Sequence, residues 1–221
     1  MNRILVIAPH PDDEVLGCGA QMKKYNELGA EVFVLVLTRG TPKFYSDDRI
    51  NNVRKEALDA HQILGVKKTF FEEFHAPVLD SYPLSEISGS IKKTIDKIRP
   101  EKVYIPHRGD IHNDHRIVYN AALVACRPVD KYSVKEIRTY ETLSETEWAA
   151  PFGDEAFIPT IFSDVSGVFE AKLNAMSCFK SQLKAFPNPR SLENLEALAK
   201  QRGATVGYKR AEAFMLVRKI C

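Results

Sequence analysis

The chain has 221 residues, of which 44% are hydrophobic and 27% charged, with a net charge of +2. That length supports one substantial core, and the composition is that of an ordinary globular protein. The near-balanced charge lacks the footprint of a nucleic-acid binder, and no run of about 18 apolar residues is present to span a membrane.

The first apolar run, residues 3–8, predicts a buried strand and is too short for the core of a secretion signal. An amphipathic stretch over 13–28 predicts a helix stopped at Gly29, followed by a second strand at 32–38. Both strands are rich in Val, Ile and Leu without polar alternation, the mark of parallel strands covered on both faces. A helix over 48–64 ends at Gly65, a strand spans 69–74, a helix spans 85–98 before Pro100, and a fourth strand spans 103–106. This order predicts an α/β fold: a Rossmann-like three-layer sandwich with a mostly parallel central sheet. Later strands are expected at 136–141, 157–165 and 213–220, with helices at 169–183 and 192–202. Without a repeat, low-complexity tract or long linker, residues 1–221 read as a single domain. Cys18, Cys126, Cys178 and Cys221 lie far apart with no CxxC pair, so reduced thiols and a cytoplasmic location are expected.

In an open α/β sheet, ligands bind beyond the carboxyl ends of the strands. Two polar clusters belong there: the first strand runs into His10-Pro11-Asp12-Asp13-Glu14, and the fourth into the segment from His107 to His115. The first turn is not a dinucleotide loop. Gly17 and Gly19 come too late to wrap a pyrophosphate, and three carboxylates repel phosphate unless a cation sits among them. Zinc in hydrolases takes three ligands from His and Asp/Glu and keeps one position for water. His10, Asp13 and His115 form a set of that kind, which also suits Fe2+, Co2+ or Mn2+.

The stretches APHPDDEVLGCG and GDIHNDHR, about a hundred residues apart, resemble the paired motifs of the PIG-L/LmbE family of zinc-dependent N-deacetylases. RKEALDAHQILGV at 54–66 and GYKRAEAFMLVR at 207–218 extend the resemblance over most of the chain. It implies a hydrolase that removes acetyl from an N-acetylglucosamine-containing molecule, with Zn2+ on His10, Asp13 and His115. It implies Asp12 as the general base for zinc-bound water, and His112 as the group that stabilises the oxyanion or protonates the leaving amine. It further implies Arg54 on the sugar side of the pocket and an amino-sugar substrate, and it leads us to expect a homo-oligomer. Some members carry a tyrosine two residues before that histidine; here the position is Asp110.

Other polar residues admit two readings. Asp114 orients a metal-bound imidazole or caps the helix beginning near His115. Asp80 accepts sugar hydroxyls or closes a turn. Glu14 suits a helix's first turn on dipole grounds alone. His61 reads as packing, His107 as a structural hydrogen bond, and His75 as the end of the third strand on the active face. Residues 39–48 and 145–159 are candidate lids. The competing readings are a non-catalytic sugar- or metal-binding protein on the same scaffold, a deacylase of another N-acyl amino sugar, and a nucleotide-binding protein.

Overall fold

The computed structural model describes residues 2–129 and 132–221. The elements run β1 (Arg3–Ala8), α1 (Asp13–Glu27), β2 (Glu31–Gly40), α2 (Asp47–Leu64), β3 (Lys68–Ala76), α3 (Leu84–Ile98), β4 (Lys102–Pro106) and α4 (Asn113–Ala125). They continue through β5 (Glu136–Tyr140), β6 (Ile161–Asp164), α5 (Phe169–Met176), α6 (Leu192–Ala204) and β7 (Ala211–Lys219). Seven strands form one sheet in the order β3-β2-β1-β4-β5-β7-β6. The first five pair in parallel, and β7 runs antiparallel to both β5 and β6. The fold is therefore the expected α/β sandwich with a mostly parallel sheet.

The unbroken apolar runs are explained by burial on both faces. β1 sends Ile4, Val6 and Ala8 to one face and Leu5 and Ile7 to the other; β2 does the same with Val32, Val34 and Val36 against Phe33, Leu35 and Leu37. Helices α1, α2 and α5 pack on the first face, α3 and α4 on the second. The isoleucines at 87, 91, 95 and 98 form one apolar stripe along α3, at the spacing of a helix with one buried side. No helix among the described residues is long and apolar enough to cross a membrane.

Two later elements are shorter than the sequence pattern suggests. The expected strand at 157–165 is Ile161–Asp164 alone. Pro159 has no N–H to donate, and the Ile158 N–H turns to Met215 Sδ, so pairing begins where the Thr160 N–H meets Phe214 O. The expected helix at 169–183 stops at Met176. Cys178 and Phe179 donate to carbonyls three residues back, and the Ser181 N–H and Oγ–H are both taken by the Glu56 carboxylate of α2.

The topology sets where chemistry can sit. The chain runs outward through β1, β2 and β3, then crosses back to place β4 on the other side of β1. The carboxyl ends of β1 and β4 thus flank the point where strand order reverses, the usual ligand crevice of such sheets. A buried ion pair fixes α1 over this crevice. Lys172 Nζ donates to Leu16 O (2.7 Å) and Glu212 Oε1 (2.6 Å), while Glu212 accepts the Ala20 and Gln21 amides. Gly17 lies against the Tyr140 ring, where a Cβ would fall 2.2 Å from a ring carbon, and the Tyr140 hydroxyl donates to Ile7 O.

Candidate metal centre

The β1–α1 turn is stiff by composition. Pro9 and Pro11 fix their own φ and keep Ala8 and His10 out of the helical region. Thr38 holds the turn from β2, donating both its amide and its hydroxyl to Pro9 O. Asp12 caps α1 at φ 115°, a left-handed conformation costing about 1–3 kcal/mol in a non-glycine residue. Its amide donates to Glu14 Oε2, and Glu14 Oε1 pairs with His61 Nε2 at 2.8 Å. His61 is buried and also bonds Thr69 Oγ1, so a chain of polar contacts reaches from β3 to the strained turn. Read from the sequence as a packing residue, His61 is packed with both ring nitrogens hydrogen-bonded.

Across the crevice, the loop after β4 delivers His115 one turn into α4. His10, Asp13 and His115 offer ligand atoms that all lie within 4.8 Å of one another. Asp13 Oδ2 sits 3.2 Å from both His10 Nδ1 and His115 Nε2. Ligands about 2.0–2.1 Å from a tetrahedral zinc stand about 3.3 Å apart, so the spacing matches.

Each imidazole is fixed through its second nitrogen. His10 Nε2 donates to Asp114 Oδ2 at 3.0 Å, and Asp114 Oδ1 accepts the Leu79 amide. His115 Nδ1 donates to Asp110 Oδ2 at 2.8 Å, and Asp110 Oδ1 accepts from Thr146 Oγ1. With the outer nitrogens donating to these carboxylates, the inner nitrogens, His10 Nδ1 and His115 Nε2, would offer their lone pairs to a cation held beside Asp13. Asp114 thus lies against His10 rather than capping α4; the cap is His112, whose Nδ1 accepts the Asp114 amide.

A second cluster, His10, His112 and Asp114, has comparable spacing. Its atoms are already engaged: both Asp114 oxygens accept hydrogen bonds, and His112 Nδ1 caps the helix. In the first set, by contrast, Asp13 Oδ1 and His115 Nε2 are fully buried and have no hydrogen-bond partner among the described residues. Orphaned buried polar atoms cost about 1–3 kcal/mol each, and a cation between them would remove that cost. The charge balance agrees. Asp12, Asp13, Glu14, Asp110 and Asp114 are all at most 2% exposed, which concentrates negative charge where a divalent ion fits.

Asp12 and His112 open onto the same cavity of about 190 Å3, together with Tyr45, Arg49, Glu145 and Arg190. Burial pushes the Asp12 carboxyl up to about 7, helped by Asp13 and Glu14 and opposed by the Arg190 guanidinium. Burial, and then the charge on His10, pull the His112 imidazole down to about 4. With Nδ1 acting as acceptor, neutral His112 carries its proton on Nε2.

Arg54 and Asp80 do not line this cavity. Arg54 turns to β3, donating to Glu73 Oε1 and Glu72 O (2.6 Å each) with its guanidinium over Phe71. Asp80 is exposed in a 3-10 turn at Leu79–Ser81. The guanidiniums on the cavity are instead Arg49 and Arg190. His75 bonds the Tyr82 hydroxyl, and His107 Nε2 bonds Glu155 O. Of the candidate lids, Gly40, Tyr45 and Glu145 line the cavity, whereas Glu155 packs on the β4–α4 loop with its carbonyl facing Gly109.

The family model described as "PIG-L: GlcNAc-PI de-N-acetylase" matches residues 5–126, over half the chain. The chain is 33% identical over 183 residues to the "Uncharacterized deacetylase YaiS" of Escherichia coli, covering 80% of this chain and 90% of that protein. It is 26% identical over 224 residues to the "Probable N-acetyl-alpha-D-glucosaminyl L-malate deacetylase 2" of Bacillus cereus, covering 96% of each. Its fold matches the crystal structure of the conserved protein TT1542 from Thermus thermophilus. The TM-score there is 0.81 at 24% identity, over 100% of this chain and 97% of that one.

Proposed function

Since the chain belongs to the PIG-L family, we propose that it is a metal-dependent hydrolase that removes acetyl from an N-acetylglucosamine-containing small molecule or glycoconjugate. The observation that carries this reading is the pair of orphaned atoms, Asp13 Oδ1 and His115 Nε2, buried beside a carboxylate that opens on the cavity. His10 Nδ1, Asp13 and His115 Nε2 would hold the cation; zinc fits this donor set, and Fe2+, Co2+ or Mn2+ suit it as well. When bound, such an ion acidifies water and polarises a carbonyl.

The chain's own groups supply the proton chemistry. Asp12 is the general base: it accepts a proton from the attacking water as the C–O bond forms, then delivers it to the amide nitrogen as the C–N bond breaks. Acetate and a free amine leave. A base that takes a proton and then returns it works best with a proton affinity near the working pH, and burial raises the Asp12 carboxyl in that direction. His112, with Nδ1 committed to the Asp114 amide, presents Nε2–H to the developing oxyanion, a contribution of about 3–4 kcal/mol for such donors. Tyr45 and Arg49 line the same cavity and would meet the part of the substrate beyond its acetamido group.

The same reading places the protein in the cytoplasm, supported by four free thiols. It includes a homo-oligomer, supported by Ile158, Leu216 and Val217 exposed along one groove beside β7. The test is acetate release from a panel of N-acetylglucosaminides: present with zinc, absent in chelator and restored by added zinc. Asp12→Ala is expected to keep stoichiometric metal and lose about 10²–10⁴-fold in turnover, whereas His10→Ala loses the metal. No release across the panel, or full turnover in the Asp12 variant, refutes the proposal.

A further inference from the structure

Arg190 lies 178 residues from Asp12 in sequence, yet its Nη1 donates to Asp12 Oδ2 at 2.8 Å. The same guanidinium reaches three other side chains: Nε donates to Ser144 Oγ (2.7 Å), Nη2 to Glu145 Oε1 (3.5 Å) and Nη1 to Gln182 Oε1 (3.4 Å). Its backbone is pinned as well, since the Arg190 amide donates to Asn188 Oδ1 and the next residue, Ser191, caps α6. Ser144 itself holds φ 73°, so a second strained residue sits at the far end of the contact.

On the reading above, we propose that Arg190 is a positioning residue for the general base. It clamps Oδ2 of Asp12 and leaves Oδ1 as the oxygen that takes the proton. Among the described residues no hydrogen bond is made to Oδ1. Asp12 is thereby held from both ends: Glu14 and His61 fix its strained backbone, and Arg190 fixes its carboxylate. A charged fork with several acceptors suits this task, because a planar guanidinium locked by Ser144 and Gln182 cannot swing without breaking other bonds. The contact is nearly shut off from solvent, with the two side chains 19% and 3% exposed. A purely structural ion pair would need none of this placement on the cavity wall.

The test compares wild type, Arg190→Ala and Ser144→Gly for metal content, kcat, KM and the crystallographic position of the Asp12 carboxylate. Ser144→Gly removes the Nε acceptor while suiting the positive φ, so it loosens Arg190 without removing it and guards against a misfolded first variant. Because displacement of a reacting group by about 1 Å costs up to about 10²-fold, Arg190→Ala is expected to lose about 10–100-fold in kcat. KM should move less than about threefold and metal should stay stoichiometric. Ser144→Gly is expected to lose about 2–5-fold with the same signature. Added guanidinium should restore part of the Arg190→Ala rate and leave wild type unchanged. An unchanged kcat, a loss confined to KM, or a carboxylate that stays in place in Arg190→Ala overturns the proposal. If wild type releases no acetate, the deacetylase reading fails by itself. The carboxylate's position in the Arg190→Ala crystal then decides the positioning claim alone: displaced supports it, unmoved rejects it.

Discussion

Replacing Asp114 by Asn alters one atom, yet it should disturb a neighbour more than the site it belongs to. Asp114 Oδ1 accepts from a backbone amide, Leu79 N–H, which can only donate. The Asn oxygen must therefore stay on that side, and its NH2 faces His10 Nε2 at the present 3.0 Å. Two donors cannot share that contact, so the imidazole changes tautomer and its proton moves to Nδ1, the nitrogen aimed at Asp13. Loss of an orienting partner typically costs 10–100-fold in metal affinity, or about 1.4–2.7 kcal/mol, and Asp114→Asn is expected near the upper end. Asp110→Asn supplies the control. Its outer partner is the Thr146 hydroxyl, which can accept as well as donate, so the Asn can turn its oxygen to His115 Nδ1 and its NH2 to Thr146. We expect about 10-fold or less there. Competition with a chromophoric chelator measures both affinities. Unchanged metal binding in Asp114→Asn, or a larger loss in Asp110→Asn, would show that these carboxylates do not set the tautomers.

Three further outcomes follow from the packing and the site. Gly17→Ala forces a methyl against the Tyr140 ring and should cost about 1–3 kcal/mol in a denaturant melt; a neutral result would mean that α1 and Tyr140 separate freely. Lys172→Met strands the Glu212 carboxylate in a buried setting and is expected to cost about 3–5 kcal/mol, less when combined with Glu212→Gln. Thermal or chemical unfolding of the single and double variants checks this, and equal losses in both would contradict the ion-pair argument. His112→Ala should lower kcat by about 10²–10³-fold while metal content stays at one per chain; a loss of metal would instead make His112 a ligand.

Much of this arrangement was legible in the sequence because it is local or periodic. Unbroken Val/Ile/Leu runs marked strands buried on both faces, and HPDDE and HNDH lie next to strand ends, so their carboxylates and imidazoles travel with the backbone. What escaped depends on distant partners. Arg190 sits in a proline-containing loop with no periodic signal, and only the tertiary fold brings it to Asp12. Arg54 shares α2 with Arg49, but at about 100° per residue it falls about 40° beyond Ile50, toward β3, where Glu73 takes it. Helix α5 gives way to turns after Met176, and Glu56, more than a hundred residues away, then holds the Ser181 amide and hydroxyl. Asp110 lies five residues before His115, and the intervening turn folds it back onto that imidazole, a contact that the spacing alone does not specify.

A crystal grown with one equivalent of zinc and measured at the zinc edge examines the proposed centre directly. A single anomalous peak is expected about 2.0–2.2 Å from His10 Nδ1, an Asp13 oxygen and His115 Nε2, with Asp12 and His112 outside the coordination sphere. A peak between His112 and Asp114, or none near the crevice, would contradict the proposed centre.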